Sequence, residues 1–165
     1  MTWSIVAHDP ATGAFGASAA TQAFAAGSFV PFVRSAVGAV GTQSITNRYL
    51  AAATLAGFDA DPTAPLPERL MAAMEAGEAA GGDRRGRRSA AMVMTTTEDF
   101  PDLTLRVDDH IEPMAELRRL LAIWRTERAP YLGNSPSKAN PAGQRDIDVI
   151  EAGWIARGWD IRFRR

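Results

Sequence analysis

Thr2 carries the group with the clearest route to chemistry. The Met1 before a residue this small can be trimmed, which leaves a free α-amine beside the Thr2 hydroxyl. An α-amine titrates near ~8, low enough to act as general base for the hydroxyl of its own residue. One residue then supplies nucleophile and base, and neither histidine nor lysine is needed. With Met1 retained, the Thr2 nitrogen is an amide and this route is closed. A second concentration of chemistry lies at residues 83–88, where Asp83 precedes Arg84, Arg85, Arg87 and Arg88 around Gly86, and Ser89 follows. The plain alternative for these arginines is a solvated turn that complements the helix dipole ending near Gly81. Asp108-Asp109-His110 has the composition of a metal triad, but consecutive residues on a strand point to opposite faces, so no metal is expected. His8 and His110 are far apart, and the one lysine, Lys138, sits in a stretch rich in Asn, Ser and Pro.

These groups need elements to hold them. Residues 3–7 and 14–20 read as two strands of a hairpin whose turn contains Pro10 and Gly13. Residues 29–33 and 36–42 read as two more, with Pro31 confining the first to an edge or bulge. Ser44 is expected to cap a helix over 45–56, with Tyr49, Leu50, Ala53 and Leu55 recurring at helical spacing and Gly57 closing it. A proline-rich linker over 61–67 leads to a second helix at 68–80, stopped by Gly81-Gly82. Strands are expected at 89–97 and 103–107. Asp109 is expected to cap a helix with Pro113 in its first turn, running to about 128. Residues 129–143 look irregular, and 144–157 suit an amphipathic helix. Trp124, Trp154 and Trp159 fit core or interface positions. Strands, helices, strands and a helix in that order indicate an α+β layered domain.

Composition narrows the classes. Of 165 residues, 46% are hydrophobic and 22% charged, with net charge −1, which suits a globular fold and excludes collagen-like or disordered chains. Near-neutral charge argues against a nucleic-acid binder. No apolar run approaches a membrane span, and the start lacks the pattern of a secretion signal, so the cytoplasm is the expected compartment. The absence of cysteine removes thiol catalysis and thiolate metal sites.

Four stretches are similar to the bacterial family catalogued as domain of unknown function 1028. They are residues 1–7 (MTWSIVA), 37–43 (VGAVGTQ), 75–91 (EAGEAAGGDRRGRRSAA) and 105–121, which opens LRVDDH and continues through Pro113. That family resembles N-terminal-nucleophile hydrolases, which cleave amide bonds on an αββα sandwich. The resemblance implies catalytic roles for Thr2, Asp83 and Ser89, the latter two orienting the Thr2 amine. Arg84, Arg85, Arg87 or Arg88 would grip a substrate carboxylate, a task suited to the planar guanidinium. Arg34, from an early strand, would lower the amine pKa electrostatically or simply face solvent. The Gly41-Thr42-Gln43-Ser44 segment would lend backbone N–H groups to an oxyanion, or serve only as a helix start. Family members carry extra strands where residues 59–64 here join two helices, so the middle of the fold is expected to be shortened.

The expectation is therefore an amidohydrolase acting on a small amide or peptide without a cofactor. Its catalytic residues would be Thr2, Asp83 and Ser89, and its substrate-binding residues Arg34, Arg84, Arg87, Thr42 and Gln43. The alternative is an inactive module on the same scaffold that binds an anionic ligand or supports assembly. Residues 1–128 form the expected hydrolase-like domain. Residues 129–165 form a tail whose helix packs on that domain or on a partner subunit. An exposed sheet edge and this helix favour a homo-oligomer.

Overall fold

The computed structural model of the protein describes residues 2–143 and 146–159. Met1, Gln144, Arg145 and residues 160–165 lie outside the described residues, and with them the trimming site and the end of the tail. Helices and short sheets alternate in an α+β architecture, and among the described residues the strands pair two by two. The chain forms two compact units, Met1–Ala90 with Arg106–Arg118 and Ala91–Leu105 with Arg119–Arg165. This cut differs from the boundary at residue 128 read from the sequence, because 91–105 belongs with the later helices. No helix among the described residues is long and apolar enough to cross a membrane.

In the first unit, β1 (Trp3–Asp9) pairs antiparallel with β2 (Ala14–Ala20), Trp3 facing Ala20 and Asp9 facing Ala14. The Asp9 carboxylate ties the turn, accepting from Ala11 N at 2.9 Å and Thr12 Oγ1 at 2.7 Å. Gly13, at φ 71°, takes the left-handed conformation that closes it. A second antiparallel hairpin joins β3 (Pro31–Arg34) to β4 (Gly38–Gly41), and Pro31 stands at its open end.

The first helix, α1 (Arg48–Asp59), begins later than the sequence suggested. Ser44 stands at φ 66° and does not cap it. Asn47 is extended instead, and its Oδ1 accepts from Tyr49 N at 3.0 Å. Tyr49, expected to face inward, is 81% exposed, while Ala51 and Leu55 are buried. At about 100° per residue, Tyr49 lies on the far side of the helix from Ala51. Nor does Gly57 end α1. It marks the crossing with α2 (Leu66–Ala79), where a Cβ would stand 2.6 Å from Ala76 Cβ and 2.7 Å from Ala72 O. A Cβ on Gly77 would likewise stand 2.7 Å from Thr54 Oγ1. Small residues on both helices thus let the backbones approach, and Met71 and Ala73 of α2 are buried. Arg69 Nε donates to Phe58 O at 3.1 Å, satisfying a carbonyl at the end of α1.

As expected, Gly81 and Gly82 end α2. Gly82 N donates to Gly77 O at 3.2 Å and Gly81 N to Glu78 O at 3.0 Å, with positive φ at both glycines. Pro113 opens α3 (Pro113–Glu127), where its missing N–H costs nothing. Asp109 does not cap that helix: it sits at φ 49° and its carboxylate accepts from Arg88. In the first turns of α3, Arg118 forms a bidentate pair with Glu75 of α2.

β5 (Ala90–Met94) pairs with β6 (Leu103–Val107), most of both strands falling in the second unit. Residues 129–134, expected to be irregular, form a 3-10 helix. Asp146 caps α4 (Ile147–Ala156), accepting from Val149 N at 3.1 Å, and Ile150 is buried. Arg157 ties this unit together. It donates to Thr126 O at 3.1 Å and Tyr131 Oη at 2.8 Å, and lies 4.7 Å from the centre of the Trp159 ring. Trp159 also stacks on Trp154 at 6.3 Å.

Candidate functional site

The chain leaving β4 is fastened at Thr42, which is buried. Its N–H donates to Val30 O at 2.9 Å and its Oγ1 donates to Phe29 O at 2.8 Å. Both donors are engaged, and helix geometry starts only at Arg48. The Thr42 N–H is therefore not open to an oxyanion, and residues 41–44 are not a helix start. Gln43 is exposed and donates through Nε2 to Ser4 Oγ at 2.6 Å, linking this segment to β1. A Cβ on Gly41 would stand 2.9 Å from the same Ser4 Oγ, so a side chain there would have to push the Ser4 hydroxyl aside. Asn47 caps α1 and also donates through Nδ2 to Ala80 O at 3.4 Å, at the end of α2.

Residues 83–89 follow α2 as a set of turns held by side chains. The Asp83 carboxylate accepts from Arg85 Nε at 2.9 Å, Arg85 Nη2 at 2.6 Å and Arg85 N at 2.9 Å. These bonds, the guanidinium first and the backbone N–H second, lower its pKa from 3.8 to about 2. Asp83 is thus ionised at neutral pH, an acceptor with no proton to give. Arg87 stands between two carboxylates. Its Nε is ion-paired with Glu78 Oε1, without the alignment of a hydrogen bond, and its Nη2 donates to Glu112 Oε2.

A cavity of about 340 Å³ opens among these pieces of the first unit. Its walls are residues 41–45, the starts of α1 and α3, the end of α2, and Gly82, Asp83, Arg87 and Ser89. Five expected site residues, Thr42, Gln43, Asp83, Arg87 and Ser89, are brought together here. Thr2, Arg34 and Arg84 are not among the lining residues. Thr2 is half-buried, and its hydroxyl donates to Thr21 Oγ1 at 3.1 Å. Arg34 pairs with Asp59 at 3.1 Å, at the C-terminal end of α1. Arg84 is exposed and makes no ion pair among the described residues. Of the triad-like run, Asp108 pairs with Arg106 and Asp109 with Arg88, while His110 Nδ1 accepts from Glu112 N at 3.0 Å.

Sequence reasoning missed Asn47 and Glu78. Ser44, Thr46 and Asn47 are all capping types, and only the backbone conformation separates them. Glu78 had a signal in its place, the last turn of a helix just before an arginine run.

An α+β fold with a largely apolar cavity, edged by a few polar and charged side chains, between the start of α1 and the end of α2 defines the class of protein. The chain belongs to the family of unknown function DUF1028, whose model matches residues 2–64 and 50–117. The crystal structure of a DUF1028 protein from Silicibacter pomeroyi is similar, with a TM-score of 0.64 and 25% sequence identity. The similarity covers 79% of this chain and 55% of the other, so the chain spans little more than half the length of that relative. No curated protein matches this sequence.

Proposed function

We propose that the protein is an amide hydrolase of the N-terminal-nucleophile type, a shortened form of the αββα sandwich, acting on a small amide or peptide. The observation that carries this reading is the setting of the Thr2 hydroxyl. It is hydrogen-bonded to Thr21 beside the head of β1, two residues from Ser4, whose Oγ is held by the cavity residue Gln43. Alternate residues of an extended chain share a face and lie about 7 Å apart, so a Thr2 continuing the run of β1 would share the side of Ser4.

In a chain that begins at Thr2, the α-amine takes the Oγ1 proton as the oxygen attacks the amide carbonyl carbon. Collapse of the tetrahedral species breaks the C–N bond, and the proton passes to the leaving amine. Water then attacks the Thr2 ester with the α-amine again as base, releasing the acid and restoring the hydroxyl. Asp83, ionised, and Ser89 are the acceptors that would orient the protonated amine. The test is a lactone probe given to protein shown by mass to begin at Thr2. A covalent adduct on Thr2 that is lost in Thr2→Ala is the expected result, and no adduct on such protein refutes the reading.

A second reading is a ligand-binding module without turnover, favoured by one observation: Arg87 lines the cavity and Thr2 does not. It expects thermal stabilisation by a carboxylate ligand in protein that retains Met1. Amide turnover abolished by Thr2→Ala would exclude it.

A further inference from the structure

Five arginines were candidates to meet an anionic ligand, and the structure separates them, together with Arg48 of α1, by their partners. Arg34 is taken by Asp59, Arg85 by Asp83 and Arg88 by Asp109. Arg84 is exposed away from the cavity lining, and Arg48 is exposed on α1. Arg87 is the one of the six that lines the cavity.

Its two partners differ. Glu78 is a cavity residue whose side chain is 31% exposed, and it engages Nε. Glu112 is 55% exposed, is not among the lining residues, and engages Nη2. Nη1 has no hydrogen bond among the described residues. A guanidinium offers a carboxylate two parallel N–H groups, and on Arg87 the Nη1–Nη2 edge presents that fork. One of its two nitrogens is occupied by the more solvated partner. Exposed ion pairs contribute little to stability, so this is a bond that a ligand can replace.

We infer that Arg87 reads a carboxylate on the ligand, and that Glu112 holds the fork until the ligand takes its place. The inference rests on the cavity being the ligand site, which both readings of function share. Binding is then an exchange of one carboxylate for another. Arg87 keeps its charge balance, Glu78 keeps the guanidinium oriented through Nε, and Asp83 is already neutralised by Arg85. A neutral ligand has no means to displace Glu112, and a cationic one would find Glu78 already paired. The ligand class is therefore a small acid, such as an amide bearing a free carboxylate.

The test measures binding alone, by NMR titration of the Thr2→Ala protein with glutarate and with its uncharged isostere glutaramide. Glutarate is expected to bind at least tenfold more tightly, with shifts at residues lining the cavity. Arg87→Gln should abolish that preference, and Arg87→Lys should weaken it by losing the fork. Glu112→Gln removes the competitor and should tighten glutarate binding about threefold or more. Asp109→Asn makes the same change in net charge without freeing Arg87, and should alter affinity less than twofold. Equal binding of the two probes, or a Glu112→Gln protein that binds glutarate no better than its parent, overturns the inference. Glu112 is exposed, so that variant remains decisive even if Arg87→Gln does not fold. Because no turnover is involved, failure here leaves the Thr2 adduct experiment untouched, and failure of that experiment leaves this one.

Discussion

The Asn47 side-chain amide donates to the Ala80 carbonyl across 3.4 Å while its oxygen accepts from Tyr49 N at 3.0 Å. One residue therefore satisfies an orphan donor at the start of α1 and a carbonyl at the end of α2, on the wall of the cavity. Replacing Asn47 with alanine should cost about 1–2 kcal/mol, the usual loss for an N-cap. Asn47→Asp keeps the cap but sets a carboxylate against the Ala80 carbonyl, and should fall between the two. Urea denaturation of the three proteins gives the order.

Gly57→Ala sets helix propensity against packing. Alanine gains up to about 1 kcal/mol in a helix interior. The new methyl must still displace the Ala72 carbonyl, a backbone atom that cannot rotate aside. Overpacking of this kind costs about 1–3 kcal/mol, so a net loss of stability is expected. A thermal melt above that of the parent would mean that the helices separate more easily than their contact implies.

Thr42→Val should leave Phe29 O without its donor in a part-buried setting, at a cost of about 1 kcal/mol. Thr42→Ser keeps the hydroxyl and should stay close to the parent in denaturant midpoint.

Asp83 gives an acid-side prediction. Its folded pKa, about 2, lies below the ordinary 3.8, so its contribution is fully present above pH 4 and is lost as pH falls through 2. Asp83→Asn should flatten the dependence of stability on pH across that window. Carboxyl NMR titration of the parent should place the Asp83 midpoint at about 2, well below the ordinary 3.8. A midpoint near 4 would show that the Arg85 contact is not kept in solution.

Much of the framework was legible because it is local. The Asp9-to-Gly13 turn, the glycine stop after Ala80 and the proline start at Pro113 each depend on a few adjacent residues and their backbone preferences. The strand at 103–107 was read with the bounds it has. Ser44 and Asp109 failed as caps for a different reason. Each has the right side chain, but each sits at positive φ, a conformation set by what surrounds the chain rather than by the residue.

What the sequence determined by itself was the supply of groups: a threonine one residue from the start, no thiols, and an acid and a hydroxyl bracketing four arginines. Only the tertiary structure decided how they are spent. Four guanidiniums within five residues of sequence differ because carboxylates from other segments, Glu78, Glu112 and Asp109, reach two of them, while the neighbouring Asp83 takes Arg85. Gly57, with the look of a helix stop, became a crossing point because another helix needed the space of a missing methyl. Local preference is short-ranged, whereas ion pairing and close packing are settled by partners that sequence spacing does not reveal.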